Sequence, residues 1–348
     1  MANPYTIGFG VKPSQYVPRT IQREEVITAF NNDESSTPAY LVEGVRGSGK
    51  TVMLDEIAEK IGKGWIVINL NSYANLLNSL ASKLYYHDRL NKMFARKKYG
   101  FSFSGLSVSV EENAPTPDFE TVIGSMLEDV KKKNLKVLVV IDEVDNTPEM
   151  REFASAFQIL IRAGLPIRLL LAGLPENIYG LSNERRSTFL MRTPKIVMDP
   201  LNLTVIKRNY QRTLKITEQE ASKLAAMTKG YSFAYQVLGH VCWGKSIDFS
   251  NDSFDEIVTE FDYYLQEYSY RKMWEVLSSM DKKVVSALAQ AELPAKVKHM
   301  REILDMDSNK FTVYRTRLKN QGLIDVKSYG EISFTLPRFS EFVNSISQ

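Results

Sequence analysis

The segment Gly44-Val45-Arg46-Gly47-Ser48-Gly49-Lys50-Thr51 fits the spacing G-x-x-x-x-G-K-[ST]. Each residue type has a chemical reason to be there. Glycines let backbone N–H groups turn inward and approach phosphate oxygens with no Cβ in the way. A helix starting at the end of the loop would offer its positive N-terminus to the same anion. Lys50 supplies a cation for β- and γ-phosphates, and Thr51 a hydroxyl for Mg²⁺. The expected ligand is a nucleoside triphosphate, ATP with Mg²⁺, held by Gly44, Val45, Arg46, Gly47, Ser48, Gly49, Lys50, Thr51 and Val52. The plain alternative is a glycine-rich turn without a ligand.

A second set of chemical groups follows about ninety residues later. The apolar run Val137 to Ile141 ends in Asp142 and Glu143. Carboxylates at the C-terminal end of a buried strand lie where an open α/β sheet binds its ligand. Asp142 is the expected Mg²⁺ partner, through water. Glu143 is the expected base that orients and deprotonates an attacking water, with Lys50 as the other catalytic group. Asp145 is either a supporting contact or plain loop. Taken alone, the pair could equally be a solvated loop start.

Parallel strands and covering helices are needed to place these groups. Compact apolar runs predict strands at Ala39–Glu43, Trp65–Leu70, Val137–Ile141, Ile167–Ala172 and Lys195–Met198. Helical spacing follows the glycine loop at Val52, Leu54, Ile57, Ala58 and Ile61, and recurs from Phe119 to Val130. Alternating strands and helices imply a parallel α/β sheet. Residues 87–117 break the rhythm and read as an insertion with a β-hairpin around Gly105. After Pro200 the pattern is helical. The chain divides as an α/β domain over 1–200, an all-α lid over 201–268 and a third domain over 269–348.

Composition narrows the classes. The chain has 348 residues, a formal net charge of +3 and one cysteine, Cys242. Near-neutral charge does not by itself point to nucleic acid. One cysteine excludes an internal disulfide framework and fits a reducing cytoplasm. His87, His240 and His299 show no ligand spacing. No long charge-free apolar run occurs, so no membrane partner is expected.

GVRGSGKT and VLVVIDE resemble the Walker A and Walker B motifs of P-loop NTPases. The glutamate directly after the Walker B aspartate, with one strand between the motif strands, resembles the AAA+ and STAND branch. Within it the chain is similar to initiator-type, archaeal origin-recognition-like ATPases. The resemblance implies a five-stranded sheet of order 5-1-4-3-2, a helical lid and ATP hydrolysis. VPRTIQREE resembles the segment packing near adenine, LLLAGLPENI the fourth strand, and TKGYSFAYQVLG the end of the lid. NERRSTFLMRTPKIVMDPL resembles the stretch that carries an arginine finger, with Arg185, Arg186 and Arg192 as candidates. Such a finger acts on a neighbouring subunit's nucleotide and implies a homo-oligomer. Two departures matter. Ala172-Gly173-Leu174 stands where relatives place a polar sensor, leaving Asn177 as its candidate replacement. GYSFAYQ has no arginine for a second sensor. Slow hydrolysis, or use of the site as a binding switch, is the implication.

Residues Lys296 to Gly330 hold eight Lys/Arg against four Asp/Glu. Their order of helices, Gly322 and strand-turn-strand looks like a winged helix-turn-helix. The expected partner is duplex DNA, with Lys310, Thr312, Arg315, Arg317, Lys319 and Lys327 as candidate contacts, chiefly to phosphate. The competing reading is a STAND-like switch whose winged helix meets protein.

Overall fold

The computed structural model describes residues 2–347 apart from 9–11, 35, 96–101, 104–105, 108–117, 186, 246, 248–251 and 327–329. The chain forms two compact units. One comprises 19–43 and 50–197; the other comprises 1–18, 44–49 and 198–348.

The first unit is α/β. Its sheet has five strands: β1 (Ala39–Glu43), β2 (Trp65–Asn71), β3 (Lys136–Asp142), β4 (Ile167–Gly173) and β5 (Lys195–Val197). All pairings are parallel, in the order β2-β3-β4-β1-β5. Read from the other edge, this is the expected order 5-1-4-3-2. β3 lies between two neighbours and buries Val137 to Ile141 without interruption, as a strand covered on both faces must. Its longer helices are α1 (Thr20–Asn31), α2 (Lys50–Lys60), α3 (Leu76–Tyr86), α4 (Phe119–Lys132), α5 (Pro148–Arg162) and α6 (Pro175–Ser182). Their starts are chemically marked. Asn75, Asp118 and Thr147 accept first-turn N–H groups with their side chains. Pro148 fills the first position of α5, where its missing donor matters least. Within the insertion, Ser102–Phe103 pairs antiparallel with Leu106–Ser107, the expected hairpin; most of 96–117 lies outside the described residues.

The second unit is mainly helical: α7 (Leu203–Tyr210), α8 (Glu218–Met227), α9 (Ser232–Cys242), α10 (Asp252–Leu265), α11 (Ser279–Gln290), α12 (Val297–Ile303), α13 (Ser308–Asn320) and α14 (Phe339–Ile346). Capping boxes start α8, through Thr217 and Glu220, and α11, through Ser278 and Asp281. π turns at Gln211–Lys215 and Gln266–Tyr270 extend α7 and α10. β6 (Ala295–Lys296), β7 (Ile324–Asp325) and β8 (Glu331–Phe334) form a small antiparallel sheet with β8 in the middle. The two later strands match expectation, whereas two-residue β6 carries too short a pattern to be read. The N-terminal segment is tied to the same unit. Tyr5 is 2% exposed and packs on the rings of Tyr210 and Tyr235. Gln236 accepts from the Thr6 N–H and donates to the Gln15 carbonyl.

Among the described residues, no helix is long and apolar enough to cross a membrane.

Candidate functional site

Gly44 to Gly49 belong to the helical unit, and that unit shapes them. Gly44 is buried; a Cβ there would lie 2.7 Å from Met198 Cβ and 2.6 Å from Ser48 Oγ. Gly47 and Gly49 have φ of +74° and +93°, which glycine adopts at little cost. At Gly47 a Cβ would also stand 2.3 Å from the Tyr231 hydroxyl. The Ser48 N–H closes a turn on the Val45 carbonyl at 3.2 Å.

Three consecutive loop carbonyls are held by three consecutive residues of the lid region. Tyr231 Oη donates to the Arg46 carbonyl at 2.7 Å. The Phe233 N–H donates to the Gly47 carbonyl at 3.0 Å, and Ser232 Oγ to the Ser48 carbonyl at 2.9 Å. Burial pushes the Tyr231 hydroxyl well above the usual phenol range, so it keeps its proton to donate. Lys229 and Gly230 turn at positive φ just before, and the Gly230 carbonyl accepts from the Leu201 N–H at 2.7 Å. Sequence reasoning identified GYSFAYQ only as a lid lacking an arginine. It missed these contacts, since a pairing across 185 positions leaves no periodicity.

Lys50 and Thr51 open α2 in the α/β unit. Thr51 Oγ1 donates to Asp142 Oδ2 at 2.5 Å, which brings the first motif's hydroxyl to the second motif's carboxylate. Asp142 Oδ1 accepts from the Glu143 N–H at 2.8 Å. Glu143 is exposed and sits at φ +52°, a left-handed conformation unusual for a residue with a Cβ. Asn177, at the start of α6, donates to the Val144 carbonyl at 3.3 Å and so braces the chain just after Glu143. Ala172 and Gly173 end β4, where a side chain on Gly173 has no room. Ala172 is buried, and a Cβ on Gly173 would meet Val144 Cγ2 at 2.8 Å.

The residues present suit a nucleotide and its metal. Ser48 Oγ is buried without a hydrogen-bond partner inside the loop, as a group reserved for a ligand would be. No group of three or more His, Cys, Asp or Glu able to hold a metal occurs among the described residues. Mg²⁺ would instead take Thr51 and Asp142, directly or through water, together with phosphate oxygens, as it does when it arrives with a nucleotide.

The other candidates are dispersed. Arg185 is exposed and lines an open cleft with Pro148, Arg151, Glu152 and Glu184. Arg192 is exposed at the end of a 3₁₀ turn, and Arg186 lies outside the described residues. On α13, Phe311 and Leu318 face the core, while Lys310, Thr312 and Lys319 are exposed and Arg315 is half-buried. Arg317 donates to Asp281 Oδ1 at 2.6 Å and to Ser278 Oγ at 3.2 Å, an internal partner that sequence reasoning did not foresee. Lys327 lies outside the described residues.

Comparison with known proteins matches residues 267–343 to a domain of unknown function, DUF8462. No curated protein matches. Among solved structures, the chain resembles a Walker-type ATPase of Pyrococcus abyssi with a TM-score of 0.67. The match has 14% identity and covers 95% of this chain and 96% of that one. It also matches Cdc6p of Pyrobaculum aerophilum at 14% identity and a TM-score of 0.47, over 98% of this chain and 96% of that one. Taken with the parallel order β2-β3-β4-β1-β5, the first likeness establishes that this chain has the fold of a Walker-type P-loop ATPase.

Proposed function

We propose that the protein binds ATP with Mg²⁺ at Gly44–Val52, hydrolyses it slowly, and uses its nucleotide state to control duplex DNA binding or assembly by the C-terminal module. The observation that carries this reading is the Thr51–Asp142 contact at 2.5 Å, at the end of a loop that turns through Gly47 and Gly49 at positive φ. Bound Mg²⁺ would neutralise charge on the phosphates. Lys50 adds a fixed cation there. Glu143 takes a proton as a water oxygen bonds to the γ-phosphorus; the bond to the bridging oxygen breaks, and ADP leaves with that electron pair. The missing sensor at Ala172–Gly173 underlies the slow rate. An arginine from a second copy, Arg185, Arg186 or Arg192, would supply the charge that this site lacks.

The 269–348 domain is read as a winged helix, with α13 offered to DNA through Lys310, Thr312, Arg315 and Lys319, and Lys327 as a further contact beyond that helix in the sequence. The second reading, a switch whose winged helix meets protein, has a specific observation in its favour. Arg317 is committed to Asp281, and Val313 is 60% exposed on the same helix, a surface with more apolar and less basic character than the sequence suggested.

One set of measurements tests the catalytic reading. Glu143→Gln should bind ATP as wild type does while turnover falls about 10²- to 10⁴-fold, the usual share of a general base. Equal turnover rejects Glu143 as the base. Lys50→Ala should weaken ATP binding, and unchanged affinity would reject the site. For the partner, duplex DNA affinity measured against salt should fall with a steep log–log slope. A flat slope, or no binding, favours the protein-contact reading.

A further inference from the structure

We infer that Tyr231, Ser232 and the Phe233 N–H position the phosphate loop for nucleotide, and that the contact of Val45 with Gly322 links that loop to the turn ending α13. The inference rests on the reading that Gly44–Thr51 binds ATP.

The argument starts from the peptide plane. A trans peptide points its N–H opposite to its C=O. Fixing the carbonyls of Arg46, Gly47 and Ser48 therefore fixes the direction of the N–H groups of Gly47, Ser48 and Gly49. The Ser48 N–H is already turned onto Val45, so the lid bonds act chiefly through Gly47 and Gly49. These carbonyls bond to Tyr231 Oη, the Phe233 N–H and Ser232 Oγ at 2.7, 3.0 and 2.9 Å. The Phe233 N–H is one of the first-turn donors that a helix cannot satisfy itself, and the loop supplies its acceptor. A loop rich in glycine has many conformations available when free. Tethering three successive peptides selects one before the phosphate arrives, which strengthens binding by preorganisation.

Two contacts carry this toward the rest of the unit. The Tyr231 hydroxyl is within 2.8 Å of Ser269 Oγ, in the π turn that continues α10. At Gly322, just beyond α13, a Cβ would lie 1.8 Å from Val45 Cγ1, so the backbone of that turn rests on the loop's side chain. Any movement of the turn is felt at Val45, and any nucleotide-driven change at Val45 is felt at the turn. Coupling of this kind is reciprocal: a ligand of α13 and ATP change each other's affinity by one common factor.

The experiment measures Mg-ATP and adenosine binding by calorimetry on the full chain, with a thermal melt of each variant. Tyr231→Phe keeps the ring and removes the donor. It should weaken ATP about tenfold, in line with one buried hydrogen bond, and leave adenosine affinity unchanged, while the melt falls modestly because the Arg46 carbonyl and Ser269 Oγ lose a buried partner. A merely structural tyrosine would weaken both ligands alike, whatever the melt. Gly322→Ala should weaken ATP by forcing Val45 aside, and Val45→Ala in the same chain should restore most of it, because the 1.8 Å clash with Cγ1 goes; the Val45 Cβ at 3.3 Å and the φ of +70° at Gly322 remain as a cost in the melt. If Gly322→Ala fails to fold, Tyr231→Phe decides alone. Wild-type ATP affinity in Tyr231→Phe, or no rescue of a folded Gly322→Ala, overturns the inference while leaving the proposed ATP site intact. A wild-type chain that does not bind Mg-ATP overturns both.

Discussion

Arg317 ties α13 to the start of α11. Its guanidinium donates twice to Asp281 Oδ1, at 2.6 and 3.0 Å, and lies 5.1 Å from the centre of the Tyr314 ring. The Asp281 side chain is 3% exposed, whereas that of Arg317 is 41% exposed. The carboxylate also accepts from the Ser278 hydroxyl at 2.6 Å and, in the capping box of α11, from the Ser278 N–H at 3.3 Å. Removing the guanidinium would leave a buried carboxylate short of donors, and such losses dominate over the worth of the pair itself. We therefore expect Arg317→Ala to lower unfolding stability by about 1–2 kcal/mol, discounted for the half-open arginine. Urea denaturation measures this. An unchanged midpoint together with lost DNA affinity would return Arg317 to the set of DNA contacts. Its basic character was plain from the sequence. Its partner, thirty-six positions away, was not.

At the scale of elements, the end of β4 decides what chemistry the site can hold. Gly173 pairs in register with Glu43 at the end of β1, next to the start of the phosphate loop. The Val144 N–H donates to the Ala172 carbonyl at 2.9 Å, which brings the chain after Glu143 down onto this strand end. A Cβ at Gly173 would meet both Val144 Cγ2 and, at 3.1 Å, the Val144 carbonyl. The absence of a side chain at Gly173 is thus a packing requirement, set by how Val144 lies on the strand end. Gly173→Ala should cost about 1–3 kcal/mol of stability by overpacking. It should also lower turnover more than ATP affinity, since Val144 adjoins Glu143 while the phosphate loop is untouched. Paired melts and steady-state rates check this; equal loss in turnover and affinity would place the disturbance in the loop instead. The strands themselves were legible because uninterrupted apolar runs ending in Gly44 or Asp142 have few other meanings in an α/β chain. The left-handed turn at Glu143 was not, because nothing in a glutamate announces a positive φ.

Across the whole molecule, the chain passes between its two units at four points, after Pro18, Glu43, Gly49 and Val197. The motif from Gly44 to Thr51 is one stretch of sequence, yet its first six residues group with the helical unit and Lys50 opens a helix of the other. Sequence alone made the motif look like the property of the α/β domain. The grouping follows instead from the hydrogen bonds to Tyr231, Ser232 and Phe233, which no local pattern encodes. Tyr5 was missed for the same reason, as its place against Gly239 is set by a distant helix. A ligand that binds the folded loop stabilises it by RT ln(1 + [L]/Kd), about 2.7 kcal/mol at a hundredfold excess over Kd. Since the loop's peptides are bonded into the helical unit and its last residues begin α2, that stabilisation should reach amides of both. Hydrogen exchange with and without Mg-ATP is the measurement. We expect slower exchange at the Phe233 amide, which donates to Gly47, as well as along α2. Slowing confined to α2 and β3, with Phe233 unchanged, would mean that nucleotide acts on the α/β unit alone and that the C-terminal module is not under its control.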